Sequence, residues 1–187
     1  LLVGHGLATR ALREAGATDV GITLNLYAVS AASQDPVDVD ARRRIEGLGN
    51  RLFVDPIVHG RWPEDVVADL ERAGLADSLL GPDPEADLAL AATPIDLLGV
   101  NYYSRAINRS TTVAEADNAP VMVVASDDKT DMGWEVFPRG LHDILVRVQR
   151  DYAPGRVFVT ENGIAFEDPP GATGPSLVIS NAQAADE

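Results

Sequence analysis

Three segments of the chain are nearly continuous apolar runs of strand length, and each ends in polar or aromatic residues. They are DVGITLNL (19–26), IDLLGVNYY (95–103) and RVFVTE (156–161). Runs of this kind are typical of parallel strands that are covered on both faces, because neither face then needs to alternate with polar residues. We therefore predict three buried parallel strands.

Apolar residues recur at helical spacing in the segments before and between these runs. Pro and Asp residues mark several of the starts, and Gly residues mark several of the ends, as expected for helix termini. Strands that alternate with helices indicate βα units around a parallel sheet, so the predicted fold class is α/β. The predicted helices cover residues 5–16, 36–47, 62–74, 84–91 and 138–152.

Two segments lack such a pattern. Residues 104–137 include the polar stretch NRSTTVAEADNAP, and we expect an exposed excursion there. Long loops that follow the carboxyl ends of strands are where barrel enzymes place their sites. Residues 171–187 are rich in Gly, Pro, Ala and Ser, which predicts a poorly ordered tail.

Composition narrows the classes of function. The chain has 187 residues, enough for one sizeable core, and a net charge of -14. That charge argues against binding to nucleic acid or to an anionic membrane surface. The chain has no cysteine, which excludes disulfides and thiolate metal sites, and its three histidines lack metal-ligand spacing. We therefore expect neither a metal nor another cofactor.

The sequence shows no clear signal for membrane insertion or for targeting. No apolar stretch approaches the roughly 20 residues of a membrane span. No signal peptide is visible, so the default expectation is a cytoplasmic protein. However, the chain starts without a Met and apparently inside a helix, which indicates an excerpt from a longer protein.

Polar residues gather where the predicted strands end. Asn25 ends the first strand, Asn101 and Tyr103 end the second, and Glu161 ends the third. In a (β/α) barrel such ends converge on one pocket, and a Tyr hydroxyl there can hold a carboxylate ionised and oriented. An oriented carboxylate suits a covalent glycosidase nucleophile. The pattern alone leaves two interpretations of Glu161 open: a polar strand end, or a carboxylate aimed at a substrate.

Four motifs carry a resemblance to a known family. TENGIAFEDP (160–169) resembles the nucleophile signature of glycoside hydrolase family 1, the β-glucosidase and β-galactosidase family. NRLFVDPIVHGRWPED (50–65), DLLGVNYYSR (96–105) and TDMGWEVFPRGL (130–141) resemble further segments of the same family, in the same order and spacing. The resemblance covers about residues 1–170 and implies a partial (β/α)8 TIM barrel, roughly strands five to seven with their helices and loops.

The resemblance also implies roles for individual residues. Glu161 matches the catalytic nucleophile, and Tyr103 matches the residue that hydrogen-bonds it, with Asn101 lining the same pocket. Trp134 matches an aromatic wall on the leaving-group side of the cleft, and the alternative for it is a large core aromatic. The implied substrate is a β-glycoside or an oligosaccharide. By contrast, Arg51, Asp55 and Trp62 are expected to have structural roles.

The sequence also departs from the family pattern. A retaining glycosidase needs a second carboxyl group about 5 Å from the nucleophile. The resemblance implies that this acid/base is the Glu of an Asn-Glu-Pro motif, and no such motif occurs in the chain. Ser30 and Ala31 stand where the family usually has an aromatic residue and a proline. We expect the acid/base strand to lie upstream of Leu1.

Two hypotheses about function follow. In the first, the chain is a segment of a retaining β-glycosidase and is inactive alone. In the second, it is a non-catalytic truncated or pseudo-enzyme product. Three strands of a barrel leave two open edges, so we also expect marginal stability, or association with a complementary barrel segment or another copy.

Overall fold

The computed structural model describes residues 1–110, 120–123 and 126–167 of the chain. In chain order, the helices and strands of these residues are α1 (Leu2–Glu14), β1 (Gly21–Asn25), β2 (Ala28–Ala31), α2 (Pro36–Glu46), a π-helical turn (Gly47–Arg51), α3 (Leu52–His59), α4 (Glu64–Arg72), α5 (Ala76–Leu80), α6 (Pro84–Ala91), β3 (Leu97–Asn101), β4 (Arg105–Ser110), β5 (Pro120–Val123), α7 (Pro138–Asp151) and β6 (Val157–Glu161).

A parallel sheet of β1, β3 and β6 forms the centre of the fold. The strand order is β1-β3-β6, and both pairings are parallel. These are the three strands that the apolar runs predict, and that prediction is confirmed. Because parallel neighbours must be joined by crossovers, α2 to α6 lie between β1 and β3, and α7 lies between β3 and β6.

Two of the helices of the described residues, α2 and α6, begin at a side-chain cap. The side chain of Asp35 accepts a hydrogen bond from the backbone N–H of Val37 at 3.1 Å, and Pro36 occupies the first helical turn of α2. Asp83 and Pro84 repeat this arrangement at the start of α6. All five predicted helices are present, as α1, α2, α4, α6 and α7. The π-helical turn, α3 and the short helix α5 were not predicted.

The core lies between one face of the parallel sheet and the helices. Leu98 and Val100 of β3 are fully buried, and they belong to one cluster with residues of α3 and α7. The other face is open: Thr23 and Asn25 of β1 are exposed, and Phe158 of β6 is 48% exposed. The prediction that all three strands are buried on both faces is therefore wrong for β1 and β6, which are the two edge strands of the sheet.

A second sheet, of β2, β4 and β5, was not predicted. β2 pairs parallel with β4, and β4 pairs antiparallel with β5. The expectation that residues 104–137 form an exposed excursion is wrong for β4, because Ala106, Ile107, Asn108 and Ser110 are buried. Residues 111–119 and 124–125 of that stretch lie outside the described residues, and so does the predicted tail over 171–187.

A buried carboxylate is hydrogen-bonded to the end of this second sheet. Asp38 of α2 is buried and accepts hydrogen bonds from the backbone N–H of Ser110 at 2.8 Å and from the Ser33 hydroxyl at 2.6 Å. The Ser33 bond is the main reason why the pKa of Asp38 lies below its ordinary value, and the Ser110 bond adds to it. The carboxylate thereby ties α2 to the end of β4.

Arg51, Asp55 and Trp62 make the structural contacts expected of them. Arg51 donates to Glu46 at 2.7 Å and to Asp65 at 2.6 Å. Asp55 accepts from the Tyr152 hydroxyl at 2.6 Å, which joins α3 to the end of α7. Trp62 packs against a second small core of α4 and α5, formed by Val66, Leu70 and Leu80.

Within the described residues, no helix is long and apolar enough to cross a membrane. In the same part of the chain, no group of three or more His, Asp or Glu side chains is arranged to hold a metal ion.

Glycine at position 99 allows the three parallel strands to approach one another. A Cβ added there would lie 2.3 Å from Thr23 Oγ1 and 2.9 Å from Thr160 Cγ2. We expect Gly99→Ala to lower the free energy of unfolding by about 1–3 kcal/mol, as overpacking does. Urea unfolding followed by circular dichroism measures this change.

Gly4 provides the matched control, because it lies in α1 and a Cβ added there meets nothing within 4 Å. Gly4→Ala should raise the free energy of unfolding by about 0.5–1 kcal/mol, since alanine favours the helix. A Gly99→Ala protein as stable as the wild type would contradict the close approach of the strands.

Candidate active site

The carboxyl ends of the three parallel strands bring polar side chains together. Asn25 pairs with Asn101, and Asn101 pairs with Glu161, across the three strands. The register shifts between Val100 and Asn101, so Thr160 is an extra residue in β6. Bulges of this kind re-aim side chains and are common beside active sites. The Thr160 hydroxyl donates to Asn101 Oδ1 at 2.6 Å, which fixes the amide of Asn101.

Backbone and side-chain bonds continue this alignment beyond the strands. The N–H of Tyr102 donates to the carbonyl of Glu161 at 3.0 Å, and the Asn162 amide donates to the carbonyl of Tyr102 at 2.7 Å. The Tyr102 ring is buried, and its hydroxyl donates to the carbonyl of Phe137 at 2.7 Å. Burial is the main cause that raises the pKa of Tyr102 to about 12. Tyr102 therefore anchors the segment that carries Tyr103.

Tyr103 and Glu161 are in direct contact. The Tyr103 hydroxyl donates a hydrogen bond to a carboxylate oxygen of Glu161. This bond is the main cause that raises the pKa of Tyr103 above its ordinary value, because the phenolate would lie beside a negative charge. Tyr103 thus remains a neutral donor at physiological pH, and it holds one oxygen of an exposed carboxylate in place.

Trp134 joins the site through Tyr103. The two ring centroids are 5.6 Å apart, with an angle of 55° between the ring planes. Trp134 is presented by a tight turn in which its N–H donates to Thr130 Oγ1 at 3.2 Å, and Gly133 has a φ of 75° that favours glycine. Trp134 is 40% exposed, which disfavours its alternative interpretation as a core aromatic.

A cavity of about 270 Å³ opens beside these two rings. Tyr103 and Trp134 form part of its wall, while Glu161, the hydrogen-bond partner of Tyr103, is not among the lining residues. The remaining lining residues are Asn25, Tyr27, Ser104, Arg105, Ala106, Gly133 and Glu135. The structure therefore brings together Asn101, Tyr103 and Glu161 at the strand ends, and places Trp134 next to them.

An ion pair supports the cavity from β4. The Arg105 guanidinium donates to both carboxylate oxygens of Glu135, at 2.8 Å from Nε, and lies 3.8 Å above the centroid of the Phe137 ring. Glu135 is 2% exposed, and the Glu135 bond is the main cause that raises the pKa of Arg105. Both oxygens of Glu135 are thus engaged by a cation, and this carboxylate is poorly suited to donate a proton to a leaving group.

Several residues that line the cavity were not predicted from the sequence as site residues, among them Arg105, Glu135 and Tyr27. Arg105 and Glu135 lie inside the motifs that carry the resemblance, but their pairing joins positions 30 residues apart and has no local signal. Tyr27 is the second residue after β1, and its position one residue past an apolar run is the only sequence feature that marks it.

Known proteins are similar to this chain over most of its length. The model of Glycosyl hydrolase family 1 matches residues 1–174 of the chain. Beta-glucosidase A of Acetivibrio thermocellus is 35% identical over 176 residues, which cover 93% of this chain and 38% of that protein. Thermostable beta-glucosidase B of Thermobispora bispora is 40% identical over 174 residues, which cover 90% of this chain and 34% of that protein.

Solved structures give the same result for the fold. The family 1 β-glucosidase of Thermotoga maritima superposes with a TM-score of 0.77 at 34% identity, over 90% of this chain and 36% of that one. Such structural neighbours are TIM-barrel β-glucosidases. The chain thus spans between a third and two fifths of the length of the relatives it matches. On the family model, the relatives and the shared fold, the chain belongs to glycosyl hydrolase family 1.

Proposed function

We propose that this chain is a segment of a retaining β-glycosidase that hydrolyses O-glycosidic bonds by double displacement, with Glu161 as the nucleophile. The observation that supports this proposal most strongly is the hydrogen bond from Tyr103 to the Glu161 carboxylate. This bond lies at the carboxyl ends of β3 and β6, which pair in parallel with a bulge near their ends. A charge-assisted bond of this kind orients one oxygen and leaves the other available for attack.

The chemistry requires two steps. A Glu161 oxygen attacks the anomeric carbon and forms a glycosyl ester, while the bond to the leaving-group oxygen breaks and that oxygen takes a proton from an acid. The same acid, now a base, then removes a proton from water, which attacks the anomeric carbon and releases the sugar with retention. Tyr103 orients the carboxylate at the start and at the end of this cycle.

The acid/base must come from outside these 187 residues. The sequence contains no Asn-Glu-Pro motif, and the carboxylate of Glu135 in the cavity wall is engaged by Arg105. We assign residues 1–170 to roughly strands five to seven of the barrel and residues 171–187 to a divergent tail. A complementary barrel segment would then supply the second carboxyl group.

The edge of the sheet supports the need for such a segment. Phe158 and Val159 of the edge strand β6 are 48% and 43% exposed, although both are large apolar residues. Exposed edges and apolar faces favour association with another strand or chain.

The relatives indicate the substrate. Two are named β-glucosidases, and another, from Bifidobacterium breve, is named a bifunctional β-D-glucosidase/β-D-fucosidase. The Thermotoga maritima enzyme has been solved in complex with deoxynojirimycin and with glucoimidazole. These names favour a β-glucoside as the substrate of the assembled enzyme.

A first prediction concerns the ionisation of Tyr103. Replacing the carboxylate in Glu161→Gln should lower the pKa of Tyr103 towards its ordinary value of 10.0. In the wild type, the raised pKa contributes stability that is present below about pH 10 and is lost as the pH rises through the pKa of the folded protein. Carbon NMR of Cζ-labelled tyrosine measures the titration, with Tyr103→Phe assigning the signal.

Tyr102 is the internal control for this titration. Burial is the main cause of its raised pKa, so its signal should respond equally to pH in the wild type and in Glu161→Gln. An unchanged Tyr103 pKa in Glu161→Gln would contradict the contact between the two side chains.

A second prediction concerns turnover of an aryl β-glucoside. The chain alone should show none, whereas its mixture with the part of Beta-glucosidase A from Acetivibrio thermocellus that the match does not cover should hydrolyse it. In that mixture, Glu161→Gln should lower kcat on the order of 10⁴-fold or more. Tyr103→Phe should lower it by about 10- to 100-fold, since one hydrogen bond to a charged group is lost.

Each arm of the assay has a distinct meaning. Turnover by the chain alone would contradict the need for a second segment. Undiminished turnover in Glu161→Gln would exclude Glu161 as the nucleophile. Absence of turnover in both arms would favour the non-catalytic alternative.

A further inference from the structure

The dipeptide Asn162-Gly163 follows directly after Glu161 at the end of β6. The sequence has seven asparagines, and Asn162 alone is followed by glycine. Because glycine has no Cβ, its backbone nitrogen can approach a neighbouring group closely. An asparagine that precedes glycine is therefore the one whose side chain is most open to attack by the backbone of the next residue.

Such an attack deamidates the asparagine, and water is the only other reactant. The backbone nitrogen of Gly163 forms a bond to Cγ of Asn162 and loses its proton, the Cγ–Nδ2 bond breaks, and ammonia leaves. The product is a succinimide ring. Water then adds to one of the two ring carbonyl carbons and breaks its bond to the ring nitrogen, which leaves an aspartate or an isoaspartate at position 162.

The structure leaves the attacking nitrogen free. Asn162 and Gly163 are exposed, and both lie outside the helices and strands. Within the described residues, the N–H of Gly163 donates no hydrogen bond. A Cβ added at Gly163 would meet nothing within 4 Å, so the surrounding space is open to water and to the rotation that ring closure needs.

Two other asparagines at strand ends, Asn25 and Asn101, lack such a free nitrogen after them. The N–H of Leu26 donates to the carbonyl of Asn101 at 3.0 Å, and the N–H of Tyr102 donates to the carbonyl of Glu161 at 3.0 Å. Attack on either side chain would first have to break a backbone hydrogen bond between strand ends. The sequence and the structure thus single out the same asparagine.

One hydrogen bond restrains the side chain of Asn162. Its Nδ2, which is the leaving group of the reaction, donates to the carbonyl of Tyr102 at 2.7 Å. Ring closure requires the side chain to turn towards the nitrogen of Gly163, whereas this bond holds it to the segment that follows β3. A single hydrogen bond in an exposed segment opens locally without unfolding of the whole chain. The bond therefore slows the reaction and does not prevent it.

Deamidation would change the surroundings of Glu161. A carboxylate at position 162 has no N–H to donate, so the bond to the Tyr102 carbonyl would be lost, and two acceptors would face each other instead. The reaction also places a negative charge one residue from Glu161, in a chain whose net charge is already -14. Only the bond from the Tyr102 N–H to the Glu161 carbonyl would then remain of the two bonds that tie this segment to β6.

We propose that Asn162 is a site of spontaneous deamidation, which Gly163 promotes and the bond to the Tyr102 carbonyl restrains. Conversion to aspartate or isoaspartate loosens the segment that carries Tyr103, and with it the contact between Tyr103 and Glu161. The proposal is independent of the catalytic role proposed for Glu161, because neither the reaction nor its restraint involves a substrate.

Mass spectrometry of the full chain, after incubation in warm and mildly alkaline buffer, tests the site. The chain has no Lys or Arg after Arg156, so trypsin leaves Asn162 and Asn181 in one peptide, residues 157–187. Asn181 is followed by alanine and is the internal control. Fragmentation of this peptide should locate the mass gained when NH2 is replaced by OH at Asn162, with slower conversion at Asn181.

Gly163→Ala is the matched variant, because the added methyl group has open space around it. It should slow conversion of Asn162 on the order of 10-fold, since a Cβ hinders the approach of the backbone nitrogen. The same difference between the two chains should appear in urea, where folding has no part.

Two comparisons test the restraint and its loss. The wild-type chain should deamidate at Asn162 about 2- to 10-fold faster in urea than when folded, the factor that corresponds to one hydrogen bond. Asn162→Asp reproduces the product, and exchange of the Tyr102 amide hydrogen should be about 5-fold or more faster in it than in the wild type. The Leu98 N–H, which donates to the carbonyl of Arg156 at 2.8 Å at the other end of the same strand pair, should exchange unchanged.

Each part of the proposal has a result that would overturn it. An unchanged mass at Asn162, an equal rate in Gly163→Ala, or faster conversion at Asn181 would exclude the site. Equal rates in the folded and the urea-unfolded chain would exclude the restraint by the Tyr102 carbonyl, and unchanged exchange of the Tyr102 amide in Asn162→Asp would exclude the loosening. None of these measurements reads turnover, so failure of Glu161 as a nucleophile would leave them as they are.

Discussion

The register of the parallel strands β1, β3 and β6 is the constraint on which the site depends. It sets Asn25, Asn101 and Glu161 side by side at one edge of the sheet. The hydrogen bonds of Tyr102 and Asn162 extend the alignment past the strand ends, so that Tyr103 reaches the Glu161 carboxylate. A slip of one residue would turn every side chain of a strand to the opposite face, and it would separate the two groups.

Two kinds of packing maintain this register. On one face of the sheet, Leu98 and Val100 are buried against the helices, and burial of apolar surface is the main stabilising contribution there. Around the cavity, an ion pair fixes the positions of two side chains. Glu135 is almost fully buried, and it is stable there because Arg105 donates hydrogen bonds to both of its oxygens. Exposed ion pairs contribute little by comparison, whereas removal of one partner of a buried pair leaves an uncompensated charge.

The parts of the fold that the sequence predicts are those with a local signal. The strands β1, β3 and β6 are apolar runs, and the predicted helices have an amphipathic period, caps or proline starts. The second sheet lacks such signals, because β4 contains Asn108 and Ser110. These residues are buried through long-range bonds such as that from the Ser110 N–H to Asp38, 72 residues away. The exposure of the edge strands β1 and β6 was also missed, since an apolar pattern does not report what covers a strand.

The residues of the candidate site also fall into two groups: those with a local sequence signal and those without one. Glu161, Tyr103, Asn101 and Trp134 were identified through motifs, and the structure places them next to one another. Tyr27 belongs to the wall only because Asn50, 23 residues away, holds its backbone. No local pattern encodes that contact.

Covalent trapping tests the central claim most directly. A 2-deoxy-2-fluoro-β-D-glucoside of 2,4-dinitrophenol forms the glycosyl ester quickly and loses it slowly, and its leaving group needs no acid. We expect mass spectrometry of the assembled enzyme to locate one fluoroglucosyl group on the peptide that contains Glu161, and none in Glu161→Gln. A label on another carboxylate, or no label in an assembly that hydrolyses aryl β-glucosides, would contradict Glu161 as the nucleophile.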